Sequence, residues 1–199
     1  MKLWVAASLV AASLGGCSSL PAPRYYALDA VTPASPAHPG AAVLIHVRRI
    51  DVPAEMDHRG LTHHLGPTRL AVSDSDQWSA PLTDLIRGAL TRDLGERLGF
   101  EHIAAAQVGA ARVGVAQAGG TPGSSPAFLD LDFVALSADD ACGVDAQINW
   151  TLSVLNGATR HGTAHLTAPA TACPSGLPAA LSAVLGELTD QLAQQLSSP

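Results

Sequence analysis

The side chains of this 199-residue chain that could take metal ions or protons are eight histidines and 17 acids, and their spacing limits which can act together. His58, His63 and His64 lie closest in sequence. Adjacent residues on a strand point to opposite faces, so His63 and His64 do not share an ion there, and no metal site is expected. Asp139, Asp140 and Asp145 surround a turn but lack the spacing, the glycine and the terminal glutamate of a calcium loop, and they read as a solvated acidic turn. Asp130 and Asp132, two apart on a strand, share its wet face and alternate with Leu129, Leu131 and Phe133. Paired acids for hydrolysis need a cleft, which the sequence does not announce. It contains no nucleophile elbow, Walker loop, HExxH or dinucleotide fingerprint, and Ser124 and Ser125 have no catalytic context. The chain therefore reads as a non-enzyme with no catalytic residue and no cofactor.

One cysteine carries a different chemistry. Leu14-Gly15-Gly16-Cys17 closes an apolar stretch that starts after Lys2. Lys2 is a minimal positive region, residues 3–14 are an uncharged core, and the glycines are small enough for peptidase cleavage. The run is shorter than the about 20 residues that span a bilayer as a helix. Read as an ordinary domain helix, it lacks a cap and a polar face. The tetrapeptide resembles the lipobox of bacterial lipoproteins. That resemblance implies that residues 1–16 are a signal peptide and that Cys17 becomes the lipidated N-terminus. Ser18, where aspartate would retain a lipoprotein at the inner membrane, implies by the same analogy the periplasmic face of a Gram-negative outer membrane.

If Cys17 is lipidated, Cys142 and Cys173 remain as an even pair in an oxidising compartment, and a disulfide is expected. No Cys-x-x-Cys is present, so a structural staple is favoured over a redox-active pair. Lys2 is the only lysine. Without the leader, ten arginines face 17 acids, a net charge of −7 with histidines neutral. Such a surface argues against nucleic acid and against electrostatic attachment to anionic headgroups, leaving membrane binding to the acyl chains.

The remaining length suits a single domain, residues 24–199, behind a lipidated tether at 17–23. An extended tether reaches only about 20 Å, which holds the domain near its membrane. Residues 24–29 read as a brief strand, and the proline-rich residues 32–40 as a loop. Residues 43–52 are rich in β-branched side chains and read as a strand ended by Pro53. Residues 61–65 and 68–72 flank Gly66-Pro67 as a bent strand pair. Leu82, Leu85, Ile86, Ala89, Leu90, Leu94 and Leu98 recur at helical spacing, with Ser79 as cap, Pro81 in the first turn and Gly99 as terminator. Asp84, Arg87, Arg92, Asp93 and Glu96 fall on its other faces. Trp78, at the helix entrance, and Trp150, in a predicted strand, read first as core anchors, with a partner interface as the alternative.

Residues 100–115 are ambiguous, with a possible strand at 111–115, and residues 119–126 form a loop. Strands at 128–137, 144–155 and 159–167 then make a meander whose last two members are joined by Asn156-Gly157, a strong hairpin signal. Its up-down-up path brings Cys142 and Cys173 to the same end of the sheet. A final helix, with Ser175 as cap and Pro178 in its first turn, presents Leu181, Val184, Leu185, Leu188, Leu192 and Leu196 on one side.

Several motifs follow one another along the chain: Pro23-Arg24-Tyr25-Tyr26-Ala27-Leu28, Ile50-Asp51-Val52-Pro53-Ala54, and Asp57-His58-Arg59-Gly60-Leu61. They continue with Gln77-Trp78-Ser79-Ala80-Pro81-Leu82, Leu129-Asp130-Leu131-Asp132-Phe133, and Ala146-Gln147-Ile148-Asn149-Trp150-Thr151-Leu152. This ordered set resembles the PqiC-type auxiliary lipoproteins of ABC transport systems that move lipids with MCE-domain proteins. The resemblance implies an α+β fold, a single two-layer domain with a mostly antiparallel or mixed sheet and two main helices packed on it. It also implies a non-catalytic accessory subunit that docks a periplasmic MCE assembly and its transporter subunits. Since one tethered domain cannot cross the periplasm, a bridge would need a partner or a homo-oligomer. The alternative is a periplasmic lipoprotein that itself binds a lipid or other apolar ligand.

Overall fold

The computed structural model describes residues 22–32, 43–104, 125–155 and 157–197. Cys17 with its lipobox, the loop at 33–40, the strand expected at 111–115 and Asn156 lie outside the described residues.

The meander is built from period-two alternation. Strand β5 (Ser125–Ala138) buries Ala127, Leu129, Leu131 and Phe133, then Leu136 and Ala138. The change of parity coincides with a register shift between Phe133 and Ala135 that leaves Val134 exposed, so an extra residue resets which side chains face the core. Strand β6 (Val144–Val154) buries Val144, Ala146, Ile148, Trp150 and Leu152, and β7 (Thr159–Ala168) buries Ala164, Leu166 and Ala168. Strand β2 (Val43–Asp51) joins β5 in parallel, giving the order β2-β5-β6-β7. Its own irregularity, between Val47 and Arg49, is held by Arg87, whose Nη1 donates to the carbonyls of Val47 at 2.8 Å and Arg48 at 3.0 Å.

A second, three-stranded sheet has the order β1-β4-β3. Strand β1 (Arg24–Tyr26) runs parallel to β4 (Leu70–Trp78), which pairs antiparallel with β3 (Gly60–His64). Gly60 is required at the irregular end of that pair, because a β-carbon there would strike the Ser73 carbonyl. Strand β3 also touches β5, which links the two sheets. The expected sheet surface is thus divided in two, while the α+β class and the paired helices stand.

Helix α1 (Leu82–Leu98) buries Leu82, Ile86, Ala89, Leu90, Leu94 and Leu98. Ser79 does not cap it. Pro81 occupies the cap position without a side-chain bond, and the Ser79 amide donates to Tyr26 O at 2.8 Å. At the other end Gly99 adopts φ 95° and donates its amide to Gly95 O, a conformation that a side chain would strain. Helix α2 (Leu177–Ser197) starts after Gly176, whose carbonyl accepts the Ala180 amide, so the position before the helix is Gly176 and not Ser175. Pro178 lies in the first turn as expected. The helices pack on each other, α1 over β2 and α2 over β6 and β7, and enclose the main core against the four-stranded sheet.

Candidate functional site

Beyond β1, residues 27–32 form a strap across both helices, held mainly through its backbone. Leu28 O accepts from Arg92 Nη2 at 2.7 Å, the Asp29 amide donates to Ser182 Oγ at 3.2 Å, and the Val31 amide donates to Asp93 Oδ1 at 2.9 Å. Val31 O accepts from Arg97 Nη1 at 3.3 Å. Beneath the strap, Gly186 on α2 leaves room for the Val31 side chain, since a β-carbon at 186 would lie 2.7 Å from Val31 Cβ.

Arg97 joins the strap to both helices. Its Nε donates to Asp190 Oδ1 at 2.7 Å, its Nη2 to Gly186 O at 3.1 Å, and its Nη1 also to Asp93 O at 3.0 Å. Asp93 is 0% exposed and Arg97 2%, which corrects the placement of Asp93 on an outer face of the helix. Burial pushes the Asp93 carboxyl above the ordinary aspartate range, only partly opposed by the Val31 amide and the Arg97 charge. Its second oxygen, Oδ2, is buried without a hydrogen-bond partner.

A second polar knot fastens β1 itself. Asp76 on β4 accepts from Arg24 Nη2 at 2.9 Å, Tyr26 OH at 2.8 Å, and Ser73 and Ser75 Oγ, both at 3.1 Å. Burial would raise its carboxyl, but these four donors outweigh burial and hold it below the usual carboxylate range. Both knots were hidden in the sequence, since each acid is completed by residues at least 50 positions away.

Trp78 is 3% exposed and belongs to the core cluster, the first of its two readings, and Trp150 is buried as well. Asp130 is ion-paired to Arg48, whose guanidinium lies 5.3 Å from the Phe128 ring centroid, while Asp132 is exposed. Asp139 Oδ1 accepts the amides of Ala141 at 3.0 Å and Gly143 at 2.7 Å, so this acid shapes the turn. Asp145 pairs with His165 at 3.0 Å.

Cys142 and Cys173 have Cα atoms 5.2 Å apart, and their sulfurs are joined. His63 and His64 do not act as a pair. His63 stands beside the two cysteines, the one trio of metal-ligating side chains among the described residues. His64 instead lines an open groove of about 680 Å³ with Pro67, Asp139, Asp145 and Thr167. An apolar pit between Trp150, Leu152 and Leu192 has a volume of about 10 Å³, about one water at most and far too small for an acyl chain.

The sequence profile of the family described as the ABC-type transport auxiliary lipoprotein component matches residues 26–193. The chain belongs to this family. The matched span of the auxiliary lipoprotein begins at the last residue of β1 and ends in α2, and so includes the strap with its Asp93–Arg97 knot and all of the Asp76 knot except Arg24. Membership carries an accessory role in ABC transport and the membrane association of a lipoprotein. Among solved structures, an uncharacterized protein superposes with a TM-score of 0.66 at 15% identity, covering 88% of this chain and 99% of its own. A Xanthomonas campestris protein of the DUF330 family gives a TM-score of 0.59 at 19% identity, covering 85% and 92%. At these identities the likeness concerns the fold. No match to a curated protein is found.

Proposed function

We propose that this auxiliary lipoprotein is held at the periplasmic face of the outer membrane by lipids on Cys17. There it serves as the non-catalytic accessory subunit of an MCE-type ABC lipid transport system. Its domain docks the periplasmic MCE-domain assembly and the transporter subunits, and bridging the periplasm requires that partner or further copies of the chain. The observation that carries this reading is the family match across residues 26–193. Supporting it, Arg24 and Tyr26, just after the tether, are fixed to buried Asp76, so a pull on an anchored Cys17 would reach a folded domain directly.

Crosslinking and purification from native membranes at native expression should recover an MCE-domain protein or a transporter subunit. Their absence overturns the docking reading. Separation of inner and outer membranes should place the chain in the outer fraction and release Cys17→Ser from it, whereas recovery in the inner fraction overturns the location.

A further inference from the structure

We propose that His63, Cys142 and Cys173 form a zinc site that is closed while the cysteines are joined and becomes available when their disulfide is reduced. The three residues come from separate elements: His63 from β3, Cys142 from the β5–β6 turn, and Cys173 from the connection between β7 and α2. One donor atom from each lies within 4.8 Å of the other two. Tetrahedral zinc, with bonds of about 2.3 Å to sulfur and 2.0 Å to nitrogen, places its donors about 3.5 to 3.8 Å apart. The histidine nitrogen needs to close by about 1 Å at most, while the sulfurs, once freed from a bond of about 2 Å, must part by about 1.7 Å, just under about 1 Å for each.

The histidine points to a ligand independently of the cysteines. A ring nitrogen of His63 belongs to the trio, and its Nδ1 is buried with no hydrogen-bond partner. Buried imidazole nitrogens are normally satisfied, and an unpaired one is suited to donate its lone pair to a metal. Cys142 is buried and Cys173 is an exposed residue, so a reductant approaches from the Cys173 side. Two thiolates and one imidazole leave a fourth position for water.

The chemistry balances with a dithiol as reductant. Its two sulfurs join as a new disulfide, the Cys142–Cys173 bond breaks, and each cysteine sulfur takes one proton. Zinc then displaces both thiol protons to solvent and forms two bonds to sulfur and one to His63. The oxidised pair has no thiolate to offer, so staple and metal site exclude each other.

The test uses the full chain in detergent, oxidised or reduced with a phosphine, which becomes the phosphine oxide by taking oxygen from water. Co²⁺ serves as the optical probe and Zn²⁺ as its competitor. A thiolate-to-cobalt charge-transfer band should appear only in the reduced protein, saturate at one ion per chain, disappear when Zn²⁺ is added, and be lost in Cys173→Ser. His63→Ala should weaken binding by at least about 10-fold, the cost already incurred when a ligand loses only its support. The proposal is overturned if the oxidised chain binds as well, if the reduced chain shows no band, or if His63→Ala titrates as the parent. Should that variant not fold, X-ray absorption at the zinc edge of the reduced parent decides: sulfur with imidazole scattering supports the site, and its lack of imidazole overturns it.

Discussion

The amide of Val31 donates to Asp93 Oδ1 at 2.9 Å, so a buried helical carboxylate secures backbone 62 residues earlier in the chain. The other carboxylate oxygen has no partner, and burial raises the acid's pKa. Between the ordinary aspartate value near 3.9 and the raised value, the folded chain keeps a proton that the unfolded chain has released, so this group's contribution falls as pH rises through that window. Asp93→Asn should keep an oxygen for Val31 and abolish this group's loss of stability with rising pH. Asp93→Ala should instead destabilise by about 1 to 3 kcal/mol, because the Val31 amide loses its acceptor. Urea denaturation of both variants at acidic and neutral pH checks the pattern.

Arg97 should be less replaceable than its surface counterparts. Arg97→Met leaves Asp190 and the carbonyls of Asp93, Gly186 and Val31 without their shared donor. Breaking a buried pair costs about 3 to 5 kcal/mol, and partial exposure of Asp190 places this loss near the lower end. Calorimetry of the variant should show that loss as a lower melting temperature.

Asp76 gives the opposite acid response from Asp93. Its depressed pKa means that its stabilisation is complete above the ordinary aspartate range and is lost as pH falls toward the lowered value, where the unfolded chain already holds the proton. Asp76→Asn should remove that part of the acid sensitivity and lower stability at neutral pH. Denaturation midpoints collected from neutral to strongly acidic pH test the difference in slope.

The Cys142–Cys173 pair closes a sequence separation of 31 residues. In the chain-entropy description such a link stabilises by about 3 to 4 kcal/mol. Protein taken from the cell envelope should resist alkylation at both positions until it is reduced, and Cys142→Ser with Cys173→Ser should melt lower. Free thiols at both positions in untreated protein would sink the staple.

Trp78 tests core against interface. Trp78→Ala should cost about 3 to 5 kcal/mol by opening a cavity, with the loss visible in the melting temperature. Crosslinking to partners, compared at equal amounts of folded protein, should not change. A selective loss of crosslinking at an unchanged melting temperature would reverse that assignment.

Periodicity made the helices and the meander legible: the leucine spacing of α1 and the alternation in β6 each have one physical solution. The full length of β4 was not legible, because the strand expected at 68–72 stops short of Ser73, Asp74, Ser75 and Asp76, four polar residues in a row. They are accommodated in a strand because Arg24 and Tyr26 arrive to satisfy Asp76. Asp93, read onto an outer face, misled in the same way, and Arg97 is buried beside it. Charges on a helix ordinarily face water, and only the strap and α2 supply the partners that let these two be buried. His63 was judged against its neighbour His64, whereas tertiary packing sets it beside two cysteines at least 79 positions away, a relation that no local spacing encodes.

Strand β1 has only three paired positions, Arg24 with Asp76, Tyr25 with Gln77 and Tyr26 with Trp78. Drawn along the strand axis, a force applied upstream of Arg24 would load these rungs together, in shear. Drawn across it, the force would open them one after another. The small strand could therefore act as a direction-dependent mechanical fuse, with the strap over the helices as the next element to bear the load.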